Sequence, residues 1–367
     1  MRILNHLNMI LLTLLLSAML LGAQPKSRET KILFPVEKDD KWGFIDRTGR
    51  IVVPLQFDSA NDFHEGLGLV TAKGKKIFID AGGRVIITPQ FDIVDNFSEG
   101  LAAVNIGETR IPNLGLISNP GRWGYIDRTG KFAIPLKFTH AENFSEGLAA
   151  VRDGDRGGFI DHQGKFVFDV SLDVTLGFHE GVVSVLWKGT LTYFDRTGKR
   201  IPTTADYGPN SNSFSEGLVP LSIKGKWGFM DQTGKLSIKP QFDDAEDFSE
   251  GLAPVKVQSA DTVWCPADTQ GNRSGSTMMY GYIDKTGKLV IPAVFNSAEP
   301  FSEGLASVRK CDQAYFIDKT GKTVIAGNFT YASSFSGGLA RFETLTKDGL
   351  LAGYIDKMGK QVWGPTK

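Results

Sequence analysis

Beyond its first 37 residues the chain is built of short apolar and β-branched runs cut by glycine-bearing turns, and the unit Lys41-Trp-Gly-Phe-Ile-Asp46-Arg-Thr-Gly49-Arg-Ile-Val-Val-Pro54 is typical. Two β-rich runs flank Asp-Arg-Thr-Gly. Downstream of residue 23 no stretch sustains apolar residues at three-and-four spacing over a helical length, so helical repeats are excluded and short strands are predicted throughout.

The runs recur with a period. An aromatic-Ile-Asp-x-x-Gly signature places its aspartate at Asp46, Asp80, Asp127, Asp161, Asp195, Asp231, Asp284, Asp318 and Asp356, spaced by 34, 47, 34, 34, 36, 53, 34 and 38 residues. The base period is 34 with insertions near 105–121 and 256–279. A second signature, Phe-Ser/His-Glu-Gly, starts at Phe63, Phe97, Phe144, Phe178, Phe214, Phe248 and Phe301, and returns as Phe-Ser-Gly-Gly at Phe335. Aspartate at the first turn position accepts from backbone N–H groups two residues on, and glycine at the fourth takes the left-handed conformation that closes a hairpin. The nine aspartates are therefore structural turn residues. Pro54, Pro89, Pro135, Pro202, Pro240 and Pro292 are expected to end the strand that follows each turn, because proline cannot donate to a ladder. The recurring phenylalanines are expected to form an internal aromatic column, each burial worth about 1.5–3 kcal/mol.

The expected fold is all-β: a tandem array of about nine 34-residue antiparallel meanders, the count following the nine aspartates. An elongated or superhelical stack is preferred, with a closed propeller-like ring as the alternative, since the repeat is shorter than a WD40 blade of roughly 40–45 residues.

Lys41-Trp-Gly-Phe-Ile-Asp-Arg-Thr-Gly, Arg122-Trp-Gly-Tyr-Ile-Asp-Arg-Thr-Gly-Lys and Lys226-Trp-Gly-Phe-Met-Asp-Gln-Thr-Gly-Lys resemble the WG-repeat (KWG-repeat) family over roughly residues 38–360. The resemblance implies a bacterial β-repeat protein, often exported, with no established catalytic activity. Several units depart from it, with Lys76-Ile77, Gly157-Gly158, Leu191-Thr192, Tyr280-Gly281, Ala314-Tyr315 and Ala352-Gly353 where Trp-Gly is expected.

The first residues carry an address. Arg2, the apolar run Met9–Leu21 and the small residues Gly22-Ala23 read as a signal peptide over 1–23, cleaved before Gln24 and followed by a leader over 24–37. The run is too short to span a bilayer, so no membrane span is expected in the mature chain. An exported protein, periplasmic or extracellular, is expected.

Charge then narrows the partners. With 41 Lys+Arg against 41 Asp+Glu the chain is neutral, which removes the electrostatic footprint of a nucleic-acid binder. Carboxylates that recur in nearly every unit serve turns rather than an active site, which is built once, so no enzyme is expected. No His-Glu-x-x-His or Cys-x-x-Cys spacing is present to hold a metal, and no cofactor is expected. The candidate binding residues are Trp42, Trp123 and Trp227, whose indoles could stack on a sugar or fill a core, and Trp264 in the second insertion. The two cysteines, Cys265 and Cys311, fall near hairpin entries of adjacent units, so in an oxidising compartment a disulfide is expected. The functional expectation is a scaffold for protein–protein interaction, with a cell-envelope polysaccharide-binding protein as the alternative.

Overall fold

The computed structural model describes residues 32–88, 90–110, 117–170, 174–175, 177–187, 190–203, 213–265, 275–347 and 349–366. The expected signal peptide, leader residues 24–31 and Pro89 lie outside them.

The described residues form nine antiparallel sheets and no helix, in order 34–57, 59–87, 93–138, 140–169, 174–201, 218–242, 244–295, 297–329 and 331–366, termed blades 1 to 9. Consecutive strands are neighbours within every blade, as a meander requires. Seven blades have four strands, while blades 1 and 6 have three among the described residues. Blade 1 begins with strand Phe34–Lys38, ahead of the repeat boundary expected at 38.

Each Asp-x-x-Gly turn joins the last two strands of its blade. Gly49 donates its N–H to the Asp46 carbonyl at 3.0 Å, and the same bond closes all nine turns. Asp46 Oδ1 also accepts from the Thr48 hydroxyl at 2.6 Å and the Thr48 N–H at 2.9 Å. The Thr48 hydroxyl is the main cause that holds the Asp46 carboxyl down at about 2. The corresponding threonine hydroxyl likewise lowers Asp127, Asp195, Asp231, Asp284 and Asp318. A carboxyl with a depressed folded pKa stabilises above its unfolded value near 3.9 and loses that contribution as pH falls through the folded value. Burial raises Asp95 and Asp247, which act in the opposite sense. With more depressed than raised aspartates, the urea midpoint is expected to fall between pH 4 and pH 2. A midpoint that holds or rises there would show that the turn carboxylates contribute nothing.

The Trp-Gly signature marks a bulge. Trp42 pairs with Phe57 and Phe44 with Val53, so the partner strand carries extra residues, Pro54 among them, opposite Gly43. A Cβ on Gly43 would lie 2.6 Å from the Val53 carbonyl oxygen, and Gly124, Gly228 and Gly281 face the same bulge at 2.5–2.6 Å. Hence Pro54, Pro135, Pro240 and Pro292 lie inside their strands instead of ending them. A bulge removes the ladder bond that proline lacks.

The blades close into a ring, so the array is the propeller-like alternative and not the elongated or superhelical stack. The same contact recurs from blade to blade: Gly83 lies against Val53, Gly130 against Ile87, Gly164 against Ile134 and Gly359 against Ile325. It recurs between the ends of the chain, where a Cβ on Gly49 would lie 1.9 Å from the Val362 carbonyl oxygen. The Phe signature packs in parallel. Phe144 meets Tyr125 of the preceding blade with centroids 4.9 Å apart, and Phe248 meets Phe229 at 4.8 Å. At the seam Phe34 meets Tyr354 at 5.7 Å. The expected column is thus a circle of separate aromatic pairs, one between neighbouring blades.

Two further residues of Phe-Ser-Glu-Gly join the blades. Ser98, Ser145, Ser215, Ser249 and Ser302 each donate to the carbonyl of the next blade's signature phenylalanine at 2.5–2.7 Å. Glu65, Glu99, Glu146, Glu180, Glu216, Glu250 and Glu303 each accept the N–H of the next blade's signature glycine at 2.7–3.1 Å. All seven glutamates have φ of 51–54°, a left-handed conformation that costs a side-chain-bearing residue. The arrangement persists because the carboxylate satisfies a neighbour's backbone. Arg128, Arg196, Lys285, Lys319 and Lys357, one residue past the turn aspartate, donate to the carbonyls of Glu65, Glu146, Glu216, Glu250 and Glu303. Hydrogen bonds to charged groups contribute about 1.5–3 kcal/mol, so Glu146→Ala is expected to lower unfolding stability by about 1.5 kcal/mol or more. An unchanged urea midpoint for that variant would contradict the staple.

Candidate functional site

A meander alternates its connections between two faces. In the seven four-stranded blades the first-to-second connection, with the Phe signature, and the third-to-fourth connection, with the Asp-x-x-Gly turn, lie on one face. The second-to-third hairpins lie on the other. Both insertions lengthen hairpins of this second face, in blades 3 and 7.

In blade 7 the paired strands are Ala253–Trp264 and Gly275–Ile283, against five residues each for the equivalents in blade 8, Ala306–Lys310 and Gln313–Ile317. Trp264 pairs with Gly275, and a Cβ on that glycine would lie 2.8 Å from the indole, so the ring lies over the glycine and a larger residue would displace it. The indole remains 61% exposed. Next to it, Cys265 is joined to Cys311 in the hairpin turn of blade 8, with Cα atoms 5.5 Å apart. Cys311 has φ of 58° and donates its N–H to Asn296 Oδ1 at 2.6 Å, which fixes the turn that receives the bridge. The disulfide spans 46 residues of sequence and tethers the long hairpin, just past its outermost described pair Trp264–Gly275, to the neighbouring blade.

In blade 3 the strands are Leu101–Arg110 and Ile117–Asp127. Asn105 is fully buried at the base of this extension, donating to the Pro120 carbonyl at 2.9 Å and accepting from the Glu108 N–H at 3.2 Å. Ile106 and Ile117 are exposed above it.

The other tryptophans sit within or beside the cores. Trp123 is 8% exposed, packed with Tyr125, Phe138 and Ala141. Trp42 and Trp227 are half-buried against the cores of blades 1 and 6. Each lies in a different blade, so no two of Trp42, Trp123, Trp227 and Trp264 are brought together in one sheet. Sequence reasoning did not anticipate a cleft of about 60 Å³ between blades 9 and 1, lined in part by Trp42, Arg341, Tyr354 and Trp363. Its only sequence signal is Trp363, which lies past the last turn. Among the described residues no cluster of three His, Cys, Asp or Glu side chains could hold a metal ion.

Nine meanders closed on themselves define a β-propeller built as a repeat scaffold. The chain belongs to the WG-repeat family: the family described as WG containing repeat matches residues 42–76, 78–109, 123–156, 227–259, 280–312 and 316–344. No curated protein matches the chain in sequence. Among solved structures, one titled as a eukaryotic initiation factor superposes with a TM-score of 0.58 at 12% identity, covering 92% of this chain and 97% of its own. At that identity the likeness shows the fold alone. The extracellular domain of the putative hybrid two-component system BT3049 from B. thetaiotaomicron gives a TM-score of 0.29 at 10% identity, covering 88% of this chain and 62% of its own.

Proposed function

We propose that this protein is a non-catalytic, exported scaffold that binds a protein partner with the hairpin face of its ring. The supporting observation is Trp264: an indole 61% exposed on a hairpin tethered to the next blade by a disulfide. Exposed tryptophans on rigid supports are the typical anchors of protein interfaces, and the tether lowers the ordering cost of binding. Ile106 and Ile117, exposed on the extended strands of the blade 3 hairpin, offer a second contact on the same face. Export is supported by the apolar run and small-residue boundary of residues 1–23, and by a cysteine pairing that persists in oxidising compartments.

The test is a quantitative pull-down from the envelope fraction with the mature chain and its Trp264→Ala variant. An interface anchor contributes about 2 kcal/mol or more, so the variant should retain its melting temperature and capture the partner at least about 30-fold more weakly. Equal capture by both proteins would move the interface away from this hairpin.

A further inference from the structure

The Cys265–Cys311 bridge is needed by neither of the blades that it joins. Cys311 and Asp312 form the two-residue turn between Lys310 and Gln313, with Cys311 at its first position and a φ of 58°. Lys73 and Lys224 hold the same position in blades 2 and 6 at φ of 51° and 52°, so a lysine serves this turn as well. Nor does the ring depend on the bridge. Ser249 of blade 7 donates to the Phe301 carbonyl of blade 8 at 2.6 Å, and Glu250 accepts from the Gly304 N–H and from Lys319 Nζ, both at 3.1 Å. The Tyr282 hydroxyl adds a bond to the Glu299 carbonyl at 2.8 Å. Both cysteines are partly exposed, outside the cores of the two blades.

What the bridge holds is the outer part of the long hairpin. Up to the pair Gln258–Met278 the two strands run in register from the body of blade 7, with Met279 fully buried. The ladder then shifts register and resumes at Val263–Ser276 and Trp264–Gly275. The segment that carries the exposed indole is thus joined to its own blade through an interrupted ladder. Among the described residues, the disulfide is the only bond between that segment and blade 8. One covalent link therefore governs how firmly Trp264 is held, and nothing else in the ring rests on it.

We propose that the Cys265–Cys311 bridge is a thiol–disulfide exchange site through which a two-cysteine protein dithiol releases the interaction hairpin. A thiolate of the dithiol attacks the Sγ of one cysteine, the S–S bond breaks as a mixed disulfide forms, and the second thiol of the dithiol then displaces the bound sulfur. The dithiol leaves as a disulfide, and Cys265 and Cys311 take up two electrons and two protons as free thiols. Exposed disulfides are the labile and regulatory ones. Without the bridge the outer hairpin samples more conformations, so a partner must meet the ordering cost that the tether removes, and the Trp264 surface binds more weakly. The ring stays closed throughout. The consequence for binding rests on the Trp264 hairpin being the interface; the release of the hairpin does not.

The experiment is amide hydrogen exchange, read by mass spectrometry, on residues 24–367 with the bridge intact and after reduction in native buffer, with dithiothreitol as the probe dithiol. Reduction is expected to proceed without urea. Exchange over residues 258–264 and 275–278 should then quicken about tenfold or more, as removal of a local constraint does. Ala306–Lys310 of blade 8 and Ala149–Asp153 of blade 4 should keep their protection. The Cys265→Ser/Cys311→Ser variant should exchange like the reduced protein and ignore dithiothreitol. A bridge that resists millimolar dithiothreitol until urea unfolds the chain, a hairpin whose exchange is unchanged by reduction, or a reduced protein that loses protection in every blade would each overturn the assignment. Capture from the envelope fraction separates the switch from the interface: reduction should weaken capture by the wild-type chain and leave that of the double variant as it was. Equal capture by oxidised and reduced protein overturns control of binding where Trp264→Ala weakens capture. Where Trp264→Ala leaves capture unchanged the interface lies elsewhere, and the exchange measurement alone decides the role of the bridge.

Discussion

Phe144→Ala is expected to lower the unfolding free energy by about 3–5 kcal/mol, the range for truncating an aromatic side chain in a core. Phe144 is 2% exposed, packs on Tyr125 of blade 3 with centroids 4.9 Å apart, and stacks on His162 of its own blade at 4.3 Å. The cavity would open between two blades joined by the hydrogen bond that Ser98 donates to the Phe144 carbonyl and the one that Glu99 accepts from the Gly147 N–H, so little collapse can offset it. Urea denaturation of the variant measures the effect. A change within about 0.5 kcal/mol, typical of surface sites, would place this side chain in solvent.

Gly124→Val is the second large effect. A Cβ at this position would lie 2.6 Å from the Ile134 carbonyl oxygen and 2.8 Å from the Pro135 carbonyl carbon. These are backbone atoms of the bulge and cannot rotate aside as a side-chain tip could. Overpacking costs about 1–3 kcal/mol where neighbours can shift, so about 3 kcal/mol or more is expected here. The same substitution at Gly154, with nothing within 4 Å of its Cβ position, tests space apart from conformation: it should cost only the penalty of its φ of 62°. Equal losses at both positions would mean that the Trp-Gly glycine is not selected by close approach.

Much of the blade was legible in the chain. Asp46 and its eight equivalents announce their hairpins because an aspartate and a glycine three residues on bind each other's backbone locally. The signature phenylalanines announce burial by recurring in phase. Glu146 was less transparent, since its partner is the N–H of Gly181 in the following repeat, 35 residues away. The prolines misled for a related reason. Pro54 reads as a strand end until Gly43 is seen opposite it, and a bulge is a property of two strands.

Ring closure was hidden for a third reason: signature residues such as Gly49 and Tyr354 meet partners at the seam that carry no signature. Phe34 stands in for a signature phenylalanine, and Gly337, where glutamate recurs elsewhere, leaves room for Ile32, whose Cγ2 lies 2.7 Å from where a Cβ on that glycine would be. Ala81 follows its turn aspartate where other blades place a donor to the preceding glutamate. The glutamate staples join consecutive blades from 2 to 9, and blade 1 is held on each side by aromatic and turn-glycine contacts instead. Tyr354 and Pro35, which meet across this seam, are 319 residues apart, beyond the reach of any local pattern. The candidate interaction hairpin was legible as an insertion that breaks the period, whereas the seam cleft is assembled from both ends of the described chain.

Small-angle X-ray scattering of residues 24–367 tests ring closure most directly. A compact fold of this length has a radius of gyration of about 20 Å, and a ring should lie close to that value. Nine sheets stacked in an open array at about 10 Å spacing would extend to roughly 90 Å, with a radius of gyration well above it. A compact profile with a single-peaked distance distribution is the expected result, and a rod-like distribution with a long tail would contradict the closed ring.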